Sequence, residues 1–161
     1  MNFSKKEIVL TSFVLVALLI RLLPHPPNVA PITAVALFAG TNYGKKYWAI
    51  LMPLVAMVLT DIFLGFSLIT PIVYLSFVCI TLMGSLLKKI NFLNVLLSSL
   101  IFFVITNLGV WMLYYPMNPE GFITCFTLAL PFFANSIVGD LFFSGVLVLG
   151  YRFAAQRMQL A

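Results

Sequence analysis

The chain has 161 residues, 63% of them hydrophobic and 8% charged, with nine basic and four acidic side chains and a net charge of +5. Soluble domains carry roughly 45–50% apolar residues; a water-soluble fold of this length cannot hide the excess, so the solvent is lipid. The basic residues come as spaced pairs between apolar runs, which is a pattern of membrane topology and excludes nucleic acid as the partner.

Taken in chain order, the first apolar run predicts a helix over about Ile8 to Leu23. It ends in Arg21-Leu-Leu-Pro-His25 and not in a small-residue cleavage site, so it reads as a retained helix and not a signal peptide. Pro24, Pro26 and Pro27 stop it. A short second helix runs from about Ala30-Pro31 to Gly40, followed by a tight basic loop, Thr41 to Lys46. A third runs from Tyr47 to Leu64 with Pro53 inside it. Gly65 to Thr70 form a loop, Pro71 opens a fourth helix ending at Leu87, and Lys88-Lys89 close it. The fifth covers about Leu93 to Met112, and a polar, aromatic loop follows from Tyr114 to Glu120. The stretch from Gly121 to Tyr151 is too long for one simple span. Pro131 predicts a division into a re-entrant or interfacial helix, Phe122 to Leu130, and a spanning helix, Asn135 to Tyr151.

The expected fold is therefore all-α, one polytopic bundle of about six transmembrane helices at about 20 residues per span. Six crossings leave no length for a soluble catalytic or nucleotide-binding domain. With the N-terminus inside, Lys5, Lys6, Lys45, Lys46, Lys88, Lys89, Arg152 and Arg157 all fall on the cytoplasmic side, leaving only Arg21 toward the other face. Both termini are thus expected in the cytoplasm.

That orientation gathers the unusual polar residues at the outer end: Arg21, His25, Asn28, Asp61, Asn107, Trp111, Tyr114, Tyr115, Asn118 and Glu120, with Asn135 and Asp140 in the outer part of the last helix. Ionisable groups in lipid are costly and usually face a partner or a cavity. The set predicts an outward-open pocket. Each residue also has a plainer role. Arg21 and Asp61 make a structural ion pair, or Arg21 snorkels to head groups. Asp61 sits at a helix end and is simply interfacial. Trp111, Tyr114 and Tyr115 form an aromatic belt. Asn107 shares a helical face with Trp111. His25, a lone loop histidine, is solvent-exposed, or is presented rigidly by its flanking prolines. Cys79 is a small buried hydrophobe. On the second helix, Ala30 with Ala34 and Ala36 with Gly40 give small-xxx-small spacings, serving packing within the chain or docking of a partner. The sequence holds no P-loop, Rossmann glycine pattern, His-Glu-x-x-His or Gly-x-Ser-x-Gly, and no enzyme activity is expected.

The stretch from Arg21-Leu-Leu-Pro-His-Pro-Pro-Asn-Val-Ala-Pro to Leu-Phe-Ala-Gly40 resembles the hallmark of a bacterial family of small membrane transport proteins. Leu59-Thr-Asp-Ile-Phe-Leu-Gly65, Thr106-Asn-Leu-Gly-Val-Trp111 and Leu130-Pro-Phe-Phe-Ala-Asn-Ser-Ile-Val-Gly-Asp140 agree in the same order. That family is in turn similar to the S components of energy-coupling factor (ECF) vitamin transporters. The resemblance implies a multi-pass protein of the bacterial inner membrane that captures a vitamin or related micronutrient from outside. It also implies partners: a transmembrane coupling protein and a pair of ATPases. His25, Asn28, Asp61, Asn107, Trp111, Tyr115 and Asp140 are the expected substrate-binding residues. Cobalamin is one candidate ligand; only in that case do Cys79 and His25 become cobalt ligands, soft donors suiting the metal. Thiamine or riboflavin precursors are others. No cofactor intrinsic to the protein is expected. The rival expectations are a structural or assembly subunit of a membrane complex, and a solitary facilitator without ATPases.

Overall fold

A computed structural model describes residues 5–24 and 28–158, without the side chain of Leu18. It contains six helices: α1 (Lys5–Arg21), α2 (Ile32–Asn42), α3 (Lys46–Leu64), α4 (Thr70–Leu87), α5 (Phe92–Tyr114) and α6 (Pro119–Arg157). No strand occurs among the described residues. Asparagine caps start the last two helices. The Asn91 side chain accepts from the Asn94 backbone N–H at 2.8 Å and that of Asn118 from Gly121 at 2.7 Å, each satisfying a donor that a helix start leaves free.

Among the described residues four helices, α3 to α6, are long and apolar enough to cross a membrane, and no more than 33% of any such span is buried inside the bundle. Their outward faces carry Phe63, Leu86, Leu93, Val138 and Leu149, all well over half exposed. Apolar patches on that scale need lipid or a partner over them. The count of about six spans is refined at the first two helices. α1 has 17 residues and α2 only 11, about 16 Å of helix against a hydrocarbon core of roughly 30 Å.

α2 is the hub of the bundle. It touches every other helix, and Ile32 through Gly40 are all buried. A helix apolar on all sides is expected to be enclosed. Its small residues bring it against α4. A Cβ on Gly40 would strike the Thr81 carbonyl, and one on Gly84 would stand 2.8 Å from the Leu37 carbonyl oxygen. The small-xxx-small spacing is thus used within the chain, and no face of α2 remains for a docking partner.

Because α2 is short, its N-terminus starts deep. Ile32 packs with Phe77, Ile80 and Val95, and Phe77 lies about 10 Å below the start of α4. The segment before α2 therefore reaches into the bundle. Asn28 turns it with φ 62°, a left-handed conformation that asparagine tolerates. Val29 then lies on α6 at Gly139, where a Cβ would come within 3.2 Å of the Val29 Cα. Non-helical backbone at such depth is stable where protein covers it or it lines a cavity.

The expected break at Pro131 does not occur: α6 is one helix of 39 residues with Pro131 inside it, roughly 58 Å long. The stretch is longer than a span because the helix is longer than the bilayer core, not because it folds back. Proline is accepted in membrane helices where neighbours satisfy the freed carbonyl. At its far end, Tyr151 meets Phe13 of α1, ring centroids 6.5 Å apart. The start of α1 and the end of α6 thus share one end of the bundle, with Lys88, Lys89 and Arg152 around a common cavity.

Candidate functional site

At the opposite end, three helices deliver polar side chains to one point. Arg21, the last residue of α1, donates from Nη2 to Asp61 Oδ1 of α3 at 2.7 Å and from Nη1 to the Thr60 hydroxyl. Tyr74 of α4 donates to the other carboxylate oxygen, Oδ2, at 2.7 Å. The Thr60 hydroxyl is itself turned toward the Met57 carbonyl at 2.9 Å. The Arg21 and Asp61 side chains are 16% and 7% exposed. Of the two readings of Arg21, the ion pair is the one formed.

Two adjoining cavities flank the guanidinium and share Arg21, Met57, Leu64 and Val73. One, about 220 Å³, is also lined by Asn28, Ile32, Thr33, Phe77 and Phe102. The other, about 170 Å³, is lined by Asp61, Ser67, Ile69 and Thr70. The first opens onto the N-terminus of α2, the second onto that of α4, and neither helix has a side-chain cap. At α4 no first-turn N–H is left free, since Pro71 has none and those of Thr70 and Ile72 donate to the Ser67 and Ile69 carbonyls at 3.0 Å each; the start of α2, with the positive end of its dipole, favours an acceptor or an anion.

Asp140 connects to this site through α2. It is 2% exposed and accepts from the Ser99 hydroxyl of α5 at 2.7 Å. Thr33 is its second side-chain hydrogen-bond partner and also lines the larger cavity. The carboxylate therefore braces the cavity floor without reaching the cavity itself.

The remaining expected residues lie elsewhere. The Asn107 amide donates to the Phe103 carbonyl of its own helix at 2.8 Å. Trp111 Nε1 donates to the Pro116 carbonyl at 3.0 Å and its ring meets Phe122 edge-on at 5.3 Å. The Trp111 hydrogen bond and ring contact hold the α5–α6 turn together. Trp111 and Phe122 border an apolar groove of about 410 Å³, apart from Arg21. Tyr115, half-buried, follows α5 at the same turn. Cys79, half-buried, lines neither cavity at Arg21. His25 lies outside the described residues, and among those described no group of three His, Cys, Asp or Glu side chains could hold a metal.

The structure thus brings Asn28, Asp61 and Asp140 to or beside one place and does not bring Asn107, Trp111 and Tyr115 there. Sequence reasoning missed Thr60, Tyr74, Thr33 and Ser99. Hydroxyls inside otherwise apolar runs were the available signal, since a buried hydroxyl in lipid needs a partner.

Fold and site together define a helical integral membrane protein with a polar cluster and small cavities sunk into one end of its bundle. The chain belongs to a family of unknown function (DUF6580), whose profile matches residues 1–161. No curated protein and no solved structure matches the sequence.

Proposed function

We propose that the protein is a substrate-binding component for uptake of a vitamin or related micronutrient across the bacterial inner membrane, acting like the S component of an ECF transporter. One observation carries the reading: two cavities flank the half-buried Arg21, and the larger faces the N-terminus of α2, which has no side-chain cap. Asp61 neutralises Arg21, so the ligand's acceptor groups meet oriented N–H dipoles and not a naked charge. A carboxylate-bearing or carbonyl-rich nutrient suits such a site. Asn28 and Ala30 line its larger cavity, and Asp140 braces it through Thr33. The basic end faces the cytoplasm, by the bias of Lys and Arg, and so do both termini. The coupling protein and ATPase pair supply the energy, by analogy with S components.

The cavities are each below the roughly 300 Å³ at which small-molecule sites begin. That supports a small ligand. It gives less support to cobalamin, which would need Cys79 and His25 to converge.

A second reading has its own support. The Asp61 carboxylate has a partner on each oxygen inside the protein, as expected of a brace in a structural subunit of a membrane complex. Purified protein titrated calorimetrically with a panel of water-soluble vitamins, including thiamine, riboflavin and cobalamin, separates the two. Binding of one member supports capture; binding of none, with uptake intact in Asp61→Asn cells, supports the brace.

A further inference from the structure

The basic end holds a second feature, independent of the nutrient site. A cavity of about 440 Å³ opens between the α4–α5 loop, the end of α2 and the last turns of α6, lined by Asn42, Lys88, Lys89, Asn91, Tyr151 and Arg152 among others. Three cations face it, and among the described residues none has a carboxylate within ion-pair distance. Lys88 also takes a left-handed backbone conformation, φ 51°, at the C-cap of α4. Glycine usually occupies that position.

Ile90, Asn91 and Val148 also line a second cavity, of about 330 Å³, that continues between α5 and α6. Its walls are apolar, with Phe92, Val95, Leu141 and Leu149, apart from Asn91 at its mouth and Ser144. Ser144 is 3% exposed and its hydroxyl has no hydrogen-bond partner among the described residues, although helix serines commonly bond back to a carbonyl of their own helix. Gly145 leaves the groove wide there, since a Cβ at that position would meet nothing within 4 Å.

We propose that this continuous site binds an anionic phospholipid, with its phosphate among Lys88, Lys89 and Arg152 and an acyl chain lying in the α5–α6 groove past Gly145. A cationic mouth joined to an apolar trough fits an amphiphile. A free phosphate would use the mouth alone and leave the trough without a role. Basic pockets between membrane helices recognise anionic lipid head groups by this chemistry.

The test uses the full-length protein in detergent micelles doped with phosphatidylglycerol or phosphatidylcholine, read by native mass spectrometry. Phosphatidylglycerol is expected to be retained at least about tenfold better than phosphatidylcholine, and the preference to vanish in Lys88→Gln/Lys89→Gln/Arg152→Gln. Those changes also touch the charges that orient the chain, so Gly145→Leu provides a second arm. It fills the trough, keeps every charge, and is expected to lower phosphatidylglycerol retention with unchanged thermal unfolding. Glycerol phosphate added in excess is expected to leave the bound lipid in place. Equal retention of both lipids, displacement by glycerol phosphate, or retention unaltered in a folded Gly145→Leu protein would overturn the proposal.

Discussion

Arg21 and Asp61 are the residues on which the outer site depends, and their energetics can be separated from their function. Replacing one partner leaves the other charged in a mostly apolar setting, which costs far more than removing both. Asp61→Asn is therefore expected to lose about 2–4 kcal/mol of stability, discounted for the partial exposure of Arg21. Arg21→Met/Asp61→Leu should recover most of it, read as thermal unfolding in detergent. Tyr74→Phe removes one hydrogen bond to the carboxylate and should cost less, about 1–3 kcal/mol. Asp61 stood out in the sequence because a carboxylate is rare in such surroundings. Its partners Thr60 and Tyr74 did not, because a hydroxyl in an apolar helix is common and only the tertiary fold shows what it faces. Asn107 and Trp111 misled for the converse reason. Both are polar and near a helix end, yet both spend their hydrogen bonds on local backbone.

Among the helices, α2 and α6 depart most from a simple spanning rod. α2 was legible as a short helix of small residues, and its enclosure follows from an apolar character on every side. Which helix it met was not legible, since the spacing of Ala and Gly marks a close approach without naming the neighbour. The contact with α4 makes a sharp prediction. Gly40→Val places a branched side chain against the Thr81 carbonyl and should abolish folded protein in size-exclusion profiles. Gly44→Ala, with nothing within 4 Å, should leave the profile unchanged. In α6, Pro131 suggested a boundary because proline breaks helices in water. In lipid the backbone gains more from continuing the helix than from exposing free polar groups. Pro131→Ala should accordingly leave helix content unchanged by circular dichroism and keep or slightly raise the unfolding temperature. A large loss of helix would show that the proline shapes a bend the bundle needs.

On the scale of the whole molecule, the two ends differ in kind. One gathers Lys88, Lys89 and Arg152 about a wide cavity; the other sinks a neutralised ion pair and the start of α2, without a side-chain cap, into the bundle. The asymmetry was readable from the distribution of charge before any fold was known. The depth of the site was not, because it arises from the shortness of α2 and the inward reach of the segment before it. The account rests on the outer cavities being a binding site and not only a brace. The most direct measurement is binding of the water-soluble vitamin panel to wild-type protein and to Arg21→Met/Asp61→Leu, by titration calorimetry in the same detergent, with Trp111→Ala as the control outside the site. One vitamin should bind the wild type and the Trp111→Ala protein alike and bind the double variant at least about tenfold more weakly, while the double variant stays folded. Binding that survives the double variant undiminished, or no binding to the wild type by any vitamin of the panel, would contradict it.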